Sequence, residues 1–261
     1  MEIWKKFEID SADYLSKKFC KYASFTRQGG LDSTVSDILV KLHNGSNFYI
    51  EAKHCPAQCG QFVLLPNIKT LKFDYSPKNI NKFNPYASQI MTEMNMDFDA
   101  FKEAGTAGKD IIFKDCQLVF SNWITTIYKN KGVKLIITND FKVLPIDDFN
   151  KAFSISAKYR IKRSGSNSVG KGKISDVIAY LKDHYQIDSS RIDDDKLFVS
   201  SSKNLHDSRF YLNGYEYMIS KRNEEYEIRR LSNTFNANVI FSIELKPDYK
   251  FLTDEGIISL F

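Results

Sequence analysis

Along residues 3–22 the apolar side chains Ile3, Trp4, Phe7, Leu15, Phe19 and Tyr22 recur near helical spacing, which predicts a helix with one buried face. Gly29-Gly30 breaks the chain. Residues 35–42 and 48–53 then read as two strands on either side of Asn44-Gly45, a strong hairpin signal. A short apolar run from Gln61 to Leu65 is stopped by Pro66. Residues 71–85, with Pro77, Pro85 and several Asn, read as an irregular loop. Ile90, Met91, Met94, Phe98 and Phe101 form a helical stripe of the kind that faces a core, and 122–130 reads as a further helix. Strands follow at 133–138 and 142–145.

Beyond residue 170 the pattern changes character. A helix at 174–185 precedes strands at 196–200, 209–211, 215–220 and 226–231, two of them joined at Asn213-Gly214. The strongly apolar strand at 237–246 resembles those before residue 165. An insertion is therefore expected. The chain divides into a first domain (1–132), a discontinuous second domain (133–170 and 231–261) and a small inserted α+β domain (171–230). The fold class is α+β or α/β, with a mixed sheet flanked by helices in the first domain and a second mixed sheet in the discontinuous one.

The chain has 261 residues, 43% hydrophobic and 26% charged, which excludes a disordered chain and a collagen-like one. Its four Cys include Cys55 and Cys59 beside His54. No second Cys or His pair follows at zinc-site spacing, so these read as buried thiols. No apolar run approaches a membrane span, and the charged N-terminus lacks the pattern of a signal peptide. A cytoplasmic protein is expected. Net charge is only +5, but residues 149–175 hold seven Lys and Arg and no Asp or Glu, so the rest of the chain is slightly acidic. In that window Lys158, Arg160 and Lys162 alternate with Tyr159 and Ile161, and small residues follow. Such a strand and loop suit the backbone of a nucleic acid.

The chemistry-bearing residues lie upstream. In 48–53, Phe48, Ile50 and Ala52 point to one strand face, and Tyr49, Glu51 and Lys53 to the other. An apolar face can pack on a core while a carboxylate and an amine share the opposite face. Asp37 can reach that face if the hairpin loop has three residues. A loop of Asn44–Ser46 pairs His43 with Asn47 and Asp37 with Lys53, leaving Asp37 diagonal to Glu51. Two carboxylates and a lysine are what a metal-dependent phosphodiesterase needs. Glu8, on the first helix, is a candidate further carboxylate.

Ser36-Asp37 with Glu51-Ala52-Lys53 resembles the active-site motif of the PD-(D/E)XK nucleases, with serine in place of the nominal proline. The chain is similar, more closely, to type II restriction endonucleases. That likeness rests on Trp4-Lys5, Phe7-Glu8, residues 48–53, 58–64, 72–79, 159–162, Ser164-Gly165-Ser166 and residues 232–243. The loop from Asp37 to Glu51 is longer than in those relatives by about two residues, an even change that keeps each side chain on its face. The resemblance implies a monomeric, Mg²⁺-dependent endonuclease that binds double-stranded DNA at GCGC and leaves 5′-phosphate and 3′-hydroxyl ends. It also implies a companion cytosine methyltransferase acting on the same site. By that resemblance Asp37 and Glu51 are metal ligands with the Ala52 carbonyl as a third. Lys53 activates water or stabilises charge, and Gln61 orients the site or contacts phosphate.

For DNA reading, Arg160 and Lys162 form one set facing the bases, since guanine is most often read by Arg or Lys. Arg163, Ser164, Ser166, Lys171 and Lys173 are placed against the backbone or nearby, and Asn233, Asn236 and Asn238 approach from the paired segment. The alternative readings are a non-catalytic sequence-specific DNA-binding module, or a repair or nicking nuclease.

Overall fold

The structure is a computed structural model that describes residues 3–28, 35–163, 166–232 and 235–261. The chain folds into two compact units, one of residues 1–161 and 237–261, the other of residues 162–236.

The larger unit begins with α1 (Ile3–Phe19), β1 (Ala23–Arg27), β2 (Ile38–Leu42), β3 (Asn47–Lys53), β4 (Ala57–Asn67) and β5 (Lys72–Tyr75). It continues with α2 (Pro85–Met96), α3 (Phe98–Lys102), β6 (Lys109–Asp110), α4 (Cys116–Asn130), β7 (Val133–Thr138), β8 (Lys142–Pro145) and α5 (Phe149–Ala152). Then β9 (Phe153–Arg163) leads out of it. After β10 (Ser166–Asn167), α6 (Ile174–Tyr185), β11 (Ser189–Asp193), β12 (Lys196–Ser200), β13 (Arg209–Leu212), β14 (Tyr215–Arg222) and β15 (Glu225–Leu231), β16 (Phe235–Leu245) leads back, and α7 (Asp254–Ile258) ends the chain.

Among the described residues the larger unit holds two five-stranded sheets. The first runs β1-β2-β3-β7-β8 and is mixed, because β3 pairs in parallel with β7 while its other ladders are antiparallel. One face is covered by α1, whose Phe7, Leu15 and Phe19 pack with Ile38, Val40, Ile50 and Ile137. Ile3 and Trp4, expected on that buried face, are exposed, and the helix stops at Phe19 rather than Tyr22.

The second sheet runs β5-β4-β16-β9-β6. It shares a core with α2, α4 and the other face of the first sheet, where Phe62, Phe120, Trp123, Ile136, Leu144 and Phe241 are all buried. Each such side chain contributes about 1.5–3 kcal/mol by leaving water. The expected boundary at 132/133 is therefore absent: β7 completes the sheet of β3, and β4 pairs with β16 from the far end of the chain. Periodicity locates strands along a chain but is silent on which distant strand each pairs with.

Two local expectations also change. Pro66 lies inside β4, opposite Phe73, whose N–H turns away to Asn95 Oδ1, so that pair asks no donor of the proline. For the same reason 72–75 is a strand inside what reads as loop. The smaller unit is a sheet ordered β11-β12-β15-β14-β13, with β10 against β15 and α6 contributing Ile174, Val177 and Leu181 to its core. It spans 162–236 instead of 171–230. No described helix is long and apolar enough to cross a membrane.

Candidate active site

The alternation expected of β3 is present. Phe48, Ile50 and Ala52 are buried in the core under α1, while Tyr49 packs against the other core and Glu51 and Lys53 share its face. The hairpin has a three-residue loop, but it is His43–Gly45, closed by Leu42 N–H donating to Ser46 C=O at 2.9 Å. Gly45 sits at φ +86°, the left-handed position that ends such a loop, and Asn44 Oδ1 accepts from the N–H and the hydroxyl of Ser46. Ile38 thus faces Ile50, and the same register carried one residue further puts Asp37 directly opposite Glu51, not diagonal to it. The two-residue difference from the expected register preserves every side-chain face.

Asp37 immediately precedes β2, and its Oδ2 accepts the Ala52 N–H at 2.9 Å. Within one strand residue the N–H and C=O point the same way, so the Ala52 carbonyl also lies on the Asp37 side of β3. Glu51 Oε1 and Lys53 Nζ are 2.8 Å apart, both largely buried. Lys53 is fixed from behind: Thr138 Oγ1 donates to its carbonyl at 2.8 Å, and Asn139 holds both backbone groups of Cys55 at 2.7 and 2.8 Å. Its ammonium lies 6.0 Å from the ring centroid of Tyr128, whose hydroxyl is 3.3 Å from Cys59 Sγ.

These groups line a cleft of about 490 Å³ with Trp4, Glu8, Gln61, Lys78 and Lys131. Burial, then the charge of Glu51, push the Asp37 carboxyl up to about 7 against the pull of Lys53 and the Ala52 N–H. For Lys53 burial works downward, but Glu51 and Asp37 override it and hold the ammonium above its ordinary value. Burial likewise raises the Cys59 thiol to about 12. Glu8 reaches the cleft from α1 and is paired with Arg27 at 2.9 Å.

Among the described residues no three His, Cys, Asp or Glu side chains are grouped to hold a metal by themselves. Magnesium does not require such a cage; it binds through one or two carboxylates and fills its remaining positions with water and substrate oxygens. Two neighbouring carboxylates, one of them with its proton affinity raised by burial and by the other's charge, and a carbonyl beside them match that demand.

Of the sequence-expected residues, Asp37, Glu51, Lys53 and Gln61 line this one cleft, with Ala52 beside them. Gln61 Oε1 accepts from Gln58 at 3.4 Å and from Asn238 at 3.5 Å. Asn238, expected at the bases, is buried beside β4 with its Oδ1 unpartnered among the described residues. Arg160 is half-buried on β9, next to a fully buried Tyr159 whose hydroxyl donates to Leu64 C=O. Lys162 and Asn236 are exposed. In the smaller unit Ser166 begins β10, Lys171 is 3.4 Å from Asp195, and Lys173 Nζ sits 3.5 Å over the Tyr215 ring. Ser164, Asn233 and the Arg163 side chain lie outside the described residues.

Tyr128, Lys78 and Asn79 belong to the cleft and are missed by the sequence reading. Tyr128 reads as one more apolar position of its helix, and the other two fall in a segment that reads as loop.

No protein-family model matches the chain, and no curated protein sequence does. Among solved structures, the HhaI endonuclease in complex with DNA matches with 40% identity and a TM-score of 0.75, over 100% of this chain and 98% of that one.

Proposed function

The chain belongs to the family of the HhaI endonuclease, and from this we propose that it is a site-specific endonuclease acting on double-stranded DNA at GCGC. The observation that carries the reading is Asp37 held to the Ala52 N–H beside Glu51, with Lys53 bonded to Glu51, in one cleft. Asp37, Glu51 and the Ala52 carbonyl would hold Mg²⁺. When bound, the ion lowers the pKa of a water and neutralises charge on phosphate oxygens.

The chain's own groups then have distinct tasks. Asp37 is anchored by the Ala52 N–H, so its second oxygen is the one free for the ion. Lys53 keeps its proton under the influence of two carboxylates and acts as a donor to the charged phosphate, not as a base. Gln61, which lines the same cleft, orients the water or a phosphate oxygen. The water oxygen joins phosphorus as one of its protons passes to solvent, the bond from phosphorus to O3′ breaks, and O3′ takes a proton from solvent, leaving 5′-phosphate and 3′-hydroxyl ends. Arg160 and Lys162 serve base reading, and Lys171 and Lys173 backbone contact. A companion cytosine methyltransferase protects the host's sites.

Plasmid DNA incubated with and without Mg²⁺ tests this. A discrete fragment pattern that needs the ion is expected, and Glu51→Gln and Lys53→Ala should lose it by orders of magnitude while keeping their circular dichroism. Cleavage near the wild-type rate by either variant would assign the chemistry to other residues. Metal-independent DNA binding without cleavage would favour the binding-module alternative.

A further inference from the structure

The segment after β5 carries no expected site residue, yet its backbone is pinned at several points. Ser76 N–H donates to Val63 C=O at 3.1 Å, and Asn79 N–H to Ser76 C=O at 3.1 Å. The Asn79 carboxamide grips Val63 on both sides, its Nδ2 donating to the carbonyl at 2.9 Å and its Oδ1 accepting the N–H at 2.7 Å. Tyr75 Oη donates to Asn81 C=O at 2.8 Å.

The sequence explains the geometry. Ser76 is the last residue to bond its neighbour strand, and its C=O accepts from the Asn79 N–H instead of from the Val63 N–H. The Asn79 carboxamide, which carries the same donor and acceptor as a peptide group, takes the vacated place beside Val63. Pro77 and Lys78 are thereby thrown outward between two fixed points, and Lys78 emerges exposed on the wall of the cleft that holds Asp37, Glu51 and Lys53.

Charge accounting singles out this lysine. The cleft contains the carboxylates of Glu8, Asp37 and Glu51, of which Glu8 is bonded to Arg27 and Glu51 to Lys53. The Lys78 ammonium has no partner among the described residues. A solvated lysine does not need its backbone held by a side chain that imitates a strand. A polyanion entering a cleft that holds three carboxylates does need a cation at the rim, set at a fixed distance from the reacting carboxylates.

We propose that Lys78 binds a backbone phosphate of duplex DNA next to the scissile one, and that Asn79 is its positioning residue. This rests on the endonuclease reading above. The test uses the full chain without metal, and measures binding to a short GCGC duplex and to a scrambled duplex across a range of NaCl. Lys78→Gln should weaken both duplexes alike and reduce the slope of log affinity against log salt by about 0.9, the signature of one lost phosphate contact. Lys78→Arg should restore the slope. Asn79→Ala should lower the slope too, and should add no further loss when combined with Lys78→Gln. An unchanged slope in Lys78→Gln overturns the proposal, and additive losses overturn the part given to Asn79. If the wild type binds neither duplex and cuts neither when Mg²⁺ is then added, the endonuclease reading falls first, an outcome distinct from both.

Discussion

Replacing Asp37 by Asn removes a charge and little else. The Asn oxygen can still accept the Ala52 N–H, and the side chain keeps its size. In the unfolded chain the Asp37 carboxyl titrates near its ordinary 3.8, whereas in the folded protein burial and Glu51 carry it to about 7. Between those values the folded state holds a proton that the unfolded state has released. Stability from this group is therefore full below the lower value and is lost as pH rises through the upper one. At about 1.4 kcal/mol for each tenfold step in proton affinity, the gap is worth on the order of 4 kcal/mol.

Asp37→Asn never meets that loss, so in metal-free buffer it should be the more stable protein by roughly this amount near pH 8 and by less than half of it near pH 5. For a chain of this size that is a rise in Tm of about 10 °C at the higher pH. Thermal melts followed by circular dichroism at several pH values measure both the gap and its slope. Mg²⁺ should raise the melting temperature of the wild type more than that of the variant, and the variant should not cut DNA. A variant no more stable than wild type at high pH, or a gap that does not shrink on acidification, refutes the picture of an Asp37 carboxyl whose charged form is disfavoured by burial and by Glu51.

Gly60 adopts φ +110°, and an added Cβ would stand 2.9 Å from the ring of the fully buried Trp123. Gly60→Ala should cost about 1–3 kcal/mol in chemical denaturation and slow cleavage, since both residues line the cleft; unaltered stability would show that the wall can yield. Arg160→Ala and Lys162→Ala should each lose about 1–3 kcal/mol of affinity at GCGC and much less on scrambled duplex at the same salt. Equal losses on both duplexes would make these residues backbone anchors.

Much of the site could be read along the chain because a strand's side-chain alternation is a local property. Glu51 and Lys53 on one face, and Ile50 and Ala52 on the other, follow from the pleat whatever the strand pairs with. Even the mistaken hairpin register put Asp37 on the correct face, since it erred by two residues. The exact register depended on which residue takes the left-handed angle, and that was settled by Gly45. Nothing local says that β7 joins β3 in parallel, or that β4 crosses to β16, because such pairings are chosen by how whole faces bury together. Trp4 and Tyr128 look alike in an apolar stripe, yet one is half exposed at the cleft and the other lies beneath Lys53. Lys78 gains its place only because Asn79 finds an empty ladder position on a strand sixteen residues earlier. Face and residue chemistry are short-range and therefore legible in order along the chain. Which groups meet, and with what proton affinity, depends on burial and on partners brought from far away in sequence.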